Sequence, residues 1–187
     1  MKRNVIGMDL TEKTLTRAVI YNGHVIDVEV HDVALPNGKS AKRDLVYHPG
    51  AVAVCAITPD EHVVFVEQFR KPLEHRLLEI PAGKLEPGED KYKAALRELS
   101  EETGYTAKDM ISLGEIYTSP GFANEKITLY LALDVVKGEA HPDEDEFVNI
   151  VELPLSEVKE KLKQHALEDA KTIVALQHFL LNYNDYN

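Results

Sequence analysis

Residues 83 to 105 constrain this chain more than any other stretch. They read Gly-Lys-Leu-Glu-Pro-Gly-Glu-Asp-Lys-Tyr-Lys-Ala-Ala-Leu-Arg-Glu-Leu-Ser-Glu-Glu-Thr-Gly-Tyr. Pro87-Gly88 is a turn signal. From Glu89 onward the residues are good helix formers without a proline. Glu89 and Asp90 are acids expected in the first turn, where the helix dipole favours negative charge. Gly104 is a natural C-terminal stop. Ala95 and Leu99 are four apart with Leu96 beside them, which gives one apolar stripe. Glu98 and Glu102 are also four apart, and Glu101 is three from Glu98, so three carboxylates crowd a neighbouring face. Like charges at this spacing repel by about 0.2–0.5 kcal/mol when solvated. Gathered around a cation they would be at ease, and all-oxygen ligands suit Mg²⁺, which keeps several waters and also takes phosphate oxygens. The plainer reading is a solvated acidic face partly neutralised by Arg97.

The full spacing decides between the two. Gly83 is followed after five residues by Glu89, and after seven more by Arg97-Glu98. Leu99, Glu101-Glu102, Gly104 and Tyr105 complete the pattern. This stretch resembles the Nudix box at every fixed position, with Tyr105 in a place that is usually aliphatic. The resemblance implies a loop-helix-loop that binds divalent metal, and hydrolysis of a nucleoside diphosphate linked to another group.

Composition bounds the rest. At 187 residues the chain holds one good domain, or one with a small appendage, and 44% hydrophobic residues is ordinary for a globular protein. A net charge of −11 argues against nucleic acid as a partner, because phosphate-backbone binding needs a basic patch. Cys55 is the only cysteine and sits in the apolar run 51–57, which reads as a buried structural thiol. Met1-Lys2-Arg3-Asn4 carries no signal-peptide core, and no apolar run approaches the length needed to span a membrane. The expected setting is reducing and cytoplasmic, with no membrane partner.

Residues 14–21, 24–33 and 42–47 read as a small antiparallel sheet, with Asn22-Gly23 as a hairpin turn. Ile26, Val28 and Val30 are expected on one face, opposite Asp27, Glu29 and His31. Three strands cannot cover both of their own faces, so this sheet needs something to pack against. His48-Pro49-Gly50 marks a boundary. It predicts an N-terminal sheet over 1–48 and a second domain over 49–187; the resemblance makes the second the catalytic domain and implies dimerisation and substrate contacts for the first. Strands are expected at 51–58, 62–70, 111–118, 126–136 and 147–153. A loop is expected at 71–76, and an acidic loop at 138–146. Ser156 is expected to cap a helix carrying Val158 and Leu162. A last helix is expected from about residue 168 to 181. Strands mixed with helices point to an α/β domain with a sheet sandwiched between helices.

Three features outside the box narrow the resemblance to the ADP-ribose pyrophosphatase branch. They are Glu67-Gln68-Phe69-Arg70, Glu79-Ile80-Pro81-Ala82-Gly83 and Ser119-Pro120-Gly121. The likeness covers nearly the whole chain and implies the Nudix fold with its N-terminal sheet. It assigns the principal metal-binding glutamates to Glu98 and Glu102, and an additional ligand or water-positioning acid to Glu101. It assigns a metal-binding backbone carbonyl to Ala82. Arg70 would contact the diphosphate, since a guanidinium binds phosphate oxygens in a bidentate fork. Pro120 marks the branch at the substrate side. The branch implies Mg²⁺, with Mn²⁺ able to substitute, and a metal-activated water that cleaves ADP-ribose to AMP and ribose 5-phosphate.

The branch usually supplies the proton acceptor from a flexible loop after the box. Here the acidic loop offers Glu139, Asp143, Glu144, Asp145 and Glu146. Position favours Glu146, then Glu144, and a merely solvated loop is the plainer reading. Adenine recognition is less legible, because the chain has no Trp. Arg43 and Asp44 stand near the matching place, in resembling enzymes often shared across a swapped homodimer. Tyr21 and Tyr47 are further candidates, with a place in the core or dimer seam as the plainer reading. Two alternatives stay open: hydrolysis of another sugar nucleotide or dinucleotide, and a sensor that binds ADP-ribose without cleaving it. The intact box argues against the sensor.

Overall fold

The computed structural model describes residues 7–141 and 147–186. Its contacts divide the chain into two units. One holds the residues through Pro49 together with Ser119–Glu125. The other holds Gly50–Thr118 and the residues from Lys126 onward.

In the first unit, β1 (Lys13–Asn22), β2 (Asp27–Ala34) and β3 (Ser40–Tyr47) form an antiparallel sheet in the order β1-β2-β3. The turn after Asn22 is longer than a two-residue hairpin. Gly23 N–H donates to the Ile26 carbonyl at 3.1 Å, and Asn22 Nδ2 donates to Asp27 across the base of the turn at 2.8 Å. On β2 the fully buried residues lie on the face of Asp27, Glu29 and His31. His31 and Val33 are its buried residues, while Val28 and Val30 stay half-exposed. His31 Nε2 lies 2.5 Å from Glu29 Oε2, so a polar pair shares that face with Val33. Ser119–Glu125 runs beside the end of β3. Val46 N–H donates to the Phe122 carbonyl, Asn124 N–H returns a bond to the Val46 carbonyl, and His48 N–H donates to Asn124 Oδ1.

The second unit is built on β4 (Ala51–Ile57) and β5 (His62–Arg70), followed by β6 (His75–Glu79), β7 (Ala82–Lys84) and helix α1 (Lys91–Thr103). Then come β8 (Tyr105–Thr106), β9 (Ile111–Tyr117), β10 (Lys126–Ala132), β11 (Val136–Lys137), β12 (Val148–Pro154), α2 (Leu155–Lys163) and α3 (Ala170–Leu181). The main sheet runs β12-β5-β4-β10-β9, with β6 on β5 and β7 on β4. β4 and β10 pair in parallel and the other described pairs of this sheet are antiparallel, so the sheet is mixed.

The continuous apolar run of β4 now has a reason. Ala51, Ala53, Cys55 and Ile57 pack with Leu155, Val158, Leu176 and Phe179 of α2 and α3. Val52, Val54 and Ala56 pack with Ala94, Ala95 and Leu99 of α1. A strand covered by helices on both faces has no polar side to show. Burial pushes the Cys55 thiol up to about 12, which makes it an inert core residue.

Several boundaries move for local reasons. Residues 71–74 close a hairpin and β6 starts at His75, inside the expected loop. Glu74 takes the left-handed conformation at φ 58°, a turn made without the glycine that would have announced it. Asp90 is the N-cap of α1, accepting from Lys93 N–H at 3.1 Å, rather than a first-turn acid. Ser156 is not a cap. The α2 helix starts at Leu155, after Pro154, and the Leu155 N–H is satisfied by the Glu61 carbonyl at 2.9 Å. The expected strand 126–136 stops at Ala132, where Asp134 turns at φ 52°.

Candidate active site

The wedge between β5 and β7 organises the site. β4 pairs with β5 at Ala56 and Ile57, and with β7 at Ala51 to Ala53. Ile80 and Pro81 fill the fork, and Val54 N–H donates to the Pro81 carbonyl at 2.9 Å. This delivers Ala82-Gly83 beneath α1.

The acidic face of α1 divides in two. Glu98 and Glu102 are buried, 8% and 3% exposed, while the Glu101 side chain is 38% exposed. Ala82 N–H donates to Glu102 Oε2 at 2.9 Å. The Glu98 carboxylate lies over Gly83, where a Cβ would overlap its carbon and both oxygens. The glycine of the box therefore makes room for the glutamate of the box.

Arg97 clips the loop to the helix. Its Nε and Nη2 donate to the two oxygens of Glu89 at 2.9 and 3.0 Å, and its Nη1 reaches Glu98 at 2.9 Å and Glu101 at 2.8 Å. The Glu89 hydrogen bonds come first among the causes that raise the Arg97 guanidinium, and Arg97 in turn lowers the Glu89 carboxyl. At the far end, Gly104 takes φ 71° and donates to the Ser100 carbonyl at 2.8 Å. Gly138 N–H donates to the Gly104 carbonyl at 2.8 Å, and His141 N–H to the Glu101 carbonyl at 3.0 Å. The start of the acidic segment is thus tied to the end of α1. Tyr105, in the place that is usually aliphatic, is buried. Burial first, and a hydrogen bond with Glu152 second, raise its phenol.

Arg70 stands at the end of β5, bonded to Glu79 through Nε at 2.6 Å and Nη2 at 2.8 Å. It also feels the negative charge of Glu102. Arg43 is held by Glu12 through Nε at 2.9 Å and Nη2 at 2.5 Å, and Asp44 beside it is exposed. Pro120 is exposed in the loop beside β3. The second unit thus brings together Arg70, Ala82, Glu98, Glu101 and Glu102, while Arg43, Asp44 and Pro120 belong to the first. Asp143, Glu144, Asp145 and Glu146 lie outside the described residues. Glu139 is exposed.

Among the described residues, no three His, Cys, Asp or Glu side chains converge closely enough to hold a metal alone. The residues present nevertheless fit a hard divalent cation. Two buried carboxylates on adjacent helical turns face a strand backbone, and Mg²⁺ is commonly held by one or two carboxylates with substrate phosphates and water completing its shell. Sequence reasoning missed Glu79 and Lys171 as partners of Arg70. Their only signal was a buried-looking acid and a lysine in an otherwise apolar helix.

Fold and site together define a class: a mixed-sheet α/β protein whose glutamate-bearing helix is seated on a glycine strand. The model of the NUDIX domain family matches residues 47–176. The ADP-ribose pyrophosphatase of Bacillus subtilis (strain 168) is 50% identical over 174 residues, covering 92% of this chain and 94% of that protein. A Bacillus methanolicus protein named methanol dehydrogenase activator is 51% identical over 178 residues, 94% of this chain and 96% of its own. The crystal structure of an ADP compounds hydrolase superposes with a TM-score of 0.84 over 97% of this chain and 99% of that one, at 24% identity, and so shares the fold. The chain belongs to the Nudix hydrolase family. Nudix hydrolases generally require divalent metal. No helix among the described residues is long and apolar enough to cross a membrane.

Proposed function

We propose that this chain hydrolyses the diphosphate of ADP-ribose to AMP and ribose 5-phosphate with Mg²⁺, Mn²⁺ substituting. The observation that carries the reading is the Glu98–Glu102 pair seated on Ala82-Gly83, in a chain sharing half its residues with a named ADP-ribose pyrophosphatase. Glu98, Glu102 and the Ala82 carbonyl hold the metal, with Glu101 beside them once Arg97 yields it. The bound metal would offset diphosphate charge and lower the pKa of the attacking water. Arg70 orients the diphosphate through its fork. A carboxylate of the acidic loop, Glu146 before Glu144, takes the water's proton as the new P–O bond forms and the bridging oxygen leaves. Arg43, Asp44 and Pro120 serve the nucleoside side. The buried thiol of Cys55 supports a reducing, cytoplasmic setting.

Product analysis tests this reading. The protein is incubated with Mg²⁺ and ADP-ribose, GDP-mannose, UDP-glucose, diadenosine polyphosphates, NADH or oxidised dGTP. The expected result is AMP and ribose 5-phosphate from ADP-ribose, well above turnover of the rest. Preferred turnover of another member would retain the Nudix chemistry and discard the substrate. Thermal stabilisation by ADP-ribose without any turnover would mark a sensor.

The N-terminal sheet of β1, β2 and β3 serves dimerisation. Support comes from β1, an edge strand exposed at every residue, with Leu15, Val19, Ile20 and Tyr21 all more than half exposed. An apolar edge of this length invites a partner. Light scattering at micromolar concentration is expected to give twice the chain mass. A monomer would remove the dimerisation role.

A second reading is favoured by the Bacillus methanolicus relative: the chain activates an alcohol dehydrogenase. Methanol oxidation by that organism's methanol dehydrogenase, followed with and without the chain, tests it. Activation lost in Glu98→Gln would make it a consequence of hydrolysis, and no activation would dismiss it.

A further inference from the structure

Four charged side chains meet behind the site. Glu79 accepts from Arg70 on both oxygens and from Lys171 Nζ on Oε2. Lys171 also pairs with Asp169 at 3.1 Å. Asp169 caps α3, accepting from Thr172 N–H at 3.0 Å and Thr172 Oγ1 at 2.5 Å, while Ile80 N–H donates to Thr172 Oγ1 at 2.8 Å. The first turn of α3 therefore holds Glu79 through Lys171 and Ile80 through Thr172. Both lie on the chain that leads to Ala82.

Exposure grades outward through this cluster. The side chains of Glu79, Lys171, Asp169 and Arg70 are 2%, 9%, 14% and 40% exposed. Two cations balance two anions, and the cluster opens to solvent chiefly at Arg70. Buried ion pairs contribute little net stability, because desolvation offsets most of their attraction. Well-packed apolar residues would hold α3 against the sheet as firmly. What the ions supply instead is a fixed orientation. Burial alone would raise the Glu79 carboxyl, yet Arg70 and Lys171 outweigh it and hold it below its ordinary range. An ionised, immobile Glu79 engages one edge of the Arg70 guanidinium, Nε and Nη2, and turns Nη1 away from the pair.

We infer that Lys171 is a positioning residue for substrate binding: by fixing Glu79 from behind, it aims Arg70 at the diphosphate. The inference rests on the role proposed for Arg70. Without Lys171, Glu79 and Asp169 leave an excess negative charge whose nearest cation is Arg70, and the arginine is drawn inward.

The experiment is a double-mutant cycle in ADP-ribose hydrolysis with saturating Mg²⁺, using Lys171→Met, Arg70→Ala and the pair. Uniform binding of substrate and transition state shows in KM rather than kcat. Lys171→Met is expected to raise KM about tenfold with kcat within about twofold, a coupling of the size found between residues of one ion-pair network. It is expected to add nothing to the KM of Arg70→Ala. A KM unchanged in Arg70→Ala would overturn the role of Arg70 itself. A raised KM in Arg70→Ala with none in Lys171→Met would overturn the positioning role alone. Equal KM effects of Lys171→Met in both backgrounds would also overturn it, because Lys171 would then act independently of Arg70. If Lys171→Met does not fold, Lys171→Gln, which keeps a donor towards Glu79 while leaving the same excess negative charge, enters the same cycle.

Discussion

Gly83→Ala is expected to abolish most activity while leaving the fold almost untouched. The new methyl group would occupy the place of the Glu98 carboxylate. What it meets is the far end of a flexible side chain, so the clash is relieved by swinging Glu98 away. The backbone need not move, and Gly83 is not among the glycines of positive φ. Alanine at a compatible backbone position even lowers the entropy of the unfolded chain, by about 0.4–1 kcal/mol in stability. The melting temperature is therefore expected to stay within about 4 °C of the wild type. Catalysis has no such freedom. A misplacement of about 1 Å in a catalytic group can cost on the order of 10²-fold, and kcat/KM for ADP-ribose is expected to fall by at least that much. Steady-state kinetics beside a thermal melt provides the check. An alanine variant with wild-type kinetics would show that Glu98 does not work from its seat over Gly83.

The contrast with Gly104 shows what kind of information the box carries. At Gly104 a Cβ would meet the backbone at Ala140 N and Glu139 C, 2.6 and 2.7 Å away, and φ is 71°. The two glycines are equivalent in a pattern, yet one clears space for a side chain and the other for a crossing strand of backbone. Spacing alone revealed the helix, its acidic face and its C-terminal stop, because these are local properties with a period of 3.6 residues. It also revealed β4, whose apolar run fits a strand buried on both faces. It could not reveal that Glu98 and Glu102 are buried while Glu101 is shared with Arg97, because that depends on how far α1 rolls over β7. The Glu79–Lys171 pair spans 92 residues of sequence and leaves no periodic trace. The same holds for Ser119–Glu125, which reads as an isolated turn but pairs with β3. His31 shows a further limit: alternation places it opposite Ile26, Val28 and Val30, but does not say which of the two faces carries the buried residues of β2.

Glu98→Gln and Glu102→Gln are expected to lose on the order of 10²–10³-fold in kcat, the equivalent of about 3–4 kcal/mol of charge stabilisation at the transition state. Glutamine preserves the volume of both side chains, and at residue 102 it keeps an oxygen able to accept from Ala82 N–H. Only the charge is lost. Two carboxylates one helical turn apart, both nearly inaccessible, repel each other, and Arg97, 2.9 Å from Glu98, offsets part of that repulsion. Glu102→Gln is therefore expected to leave the metal-free protein about as stable as the wild type, while Glu98→Gln also gives up the ion pair with Arg97 and is expected to melt somewhat lower. Mg²⁺ is expected to raise the melting temperature of the wild type, since a ligand that binds only the folded state stabilises it by RT ln(1 + [L]/Kd). The variants should lose most of that rise, and this readout does not depend on turnover. A Glu98→Gln protein that melts and responds to Mg²⁺ as the wild type does would remove Glu98 from the metal site. If it also kept full activity, Glu98 would have no place in the hydrolysis. An unchanged metal response with lost activity would instead leave Glu98 a role in catalysis without metal binding, and the ligand set would have to be sought around Glu102 and the Ala82 carbonyl.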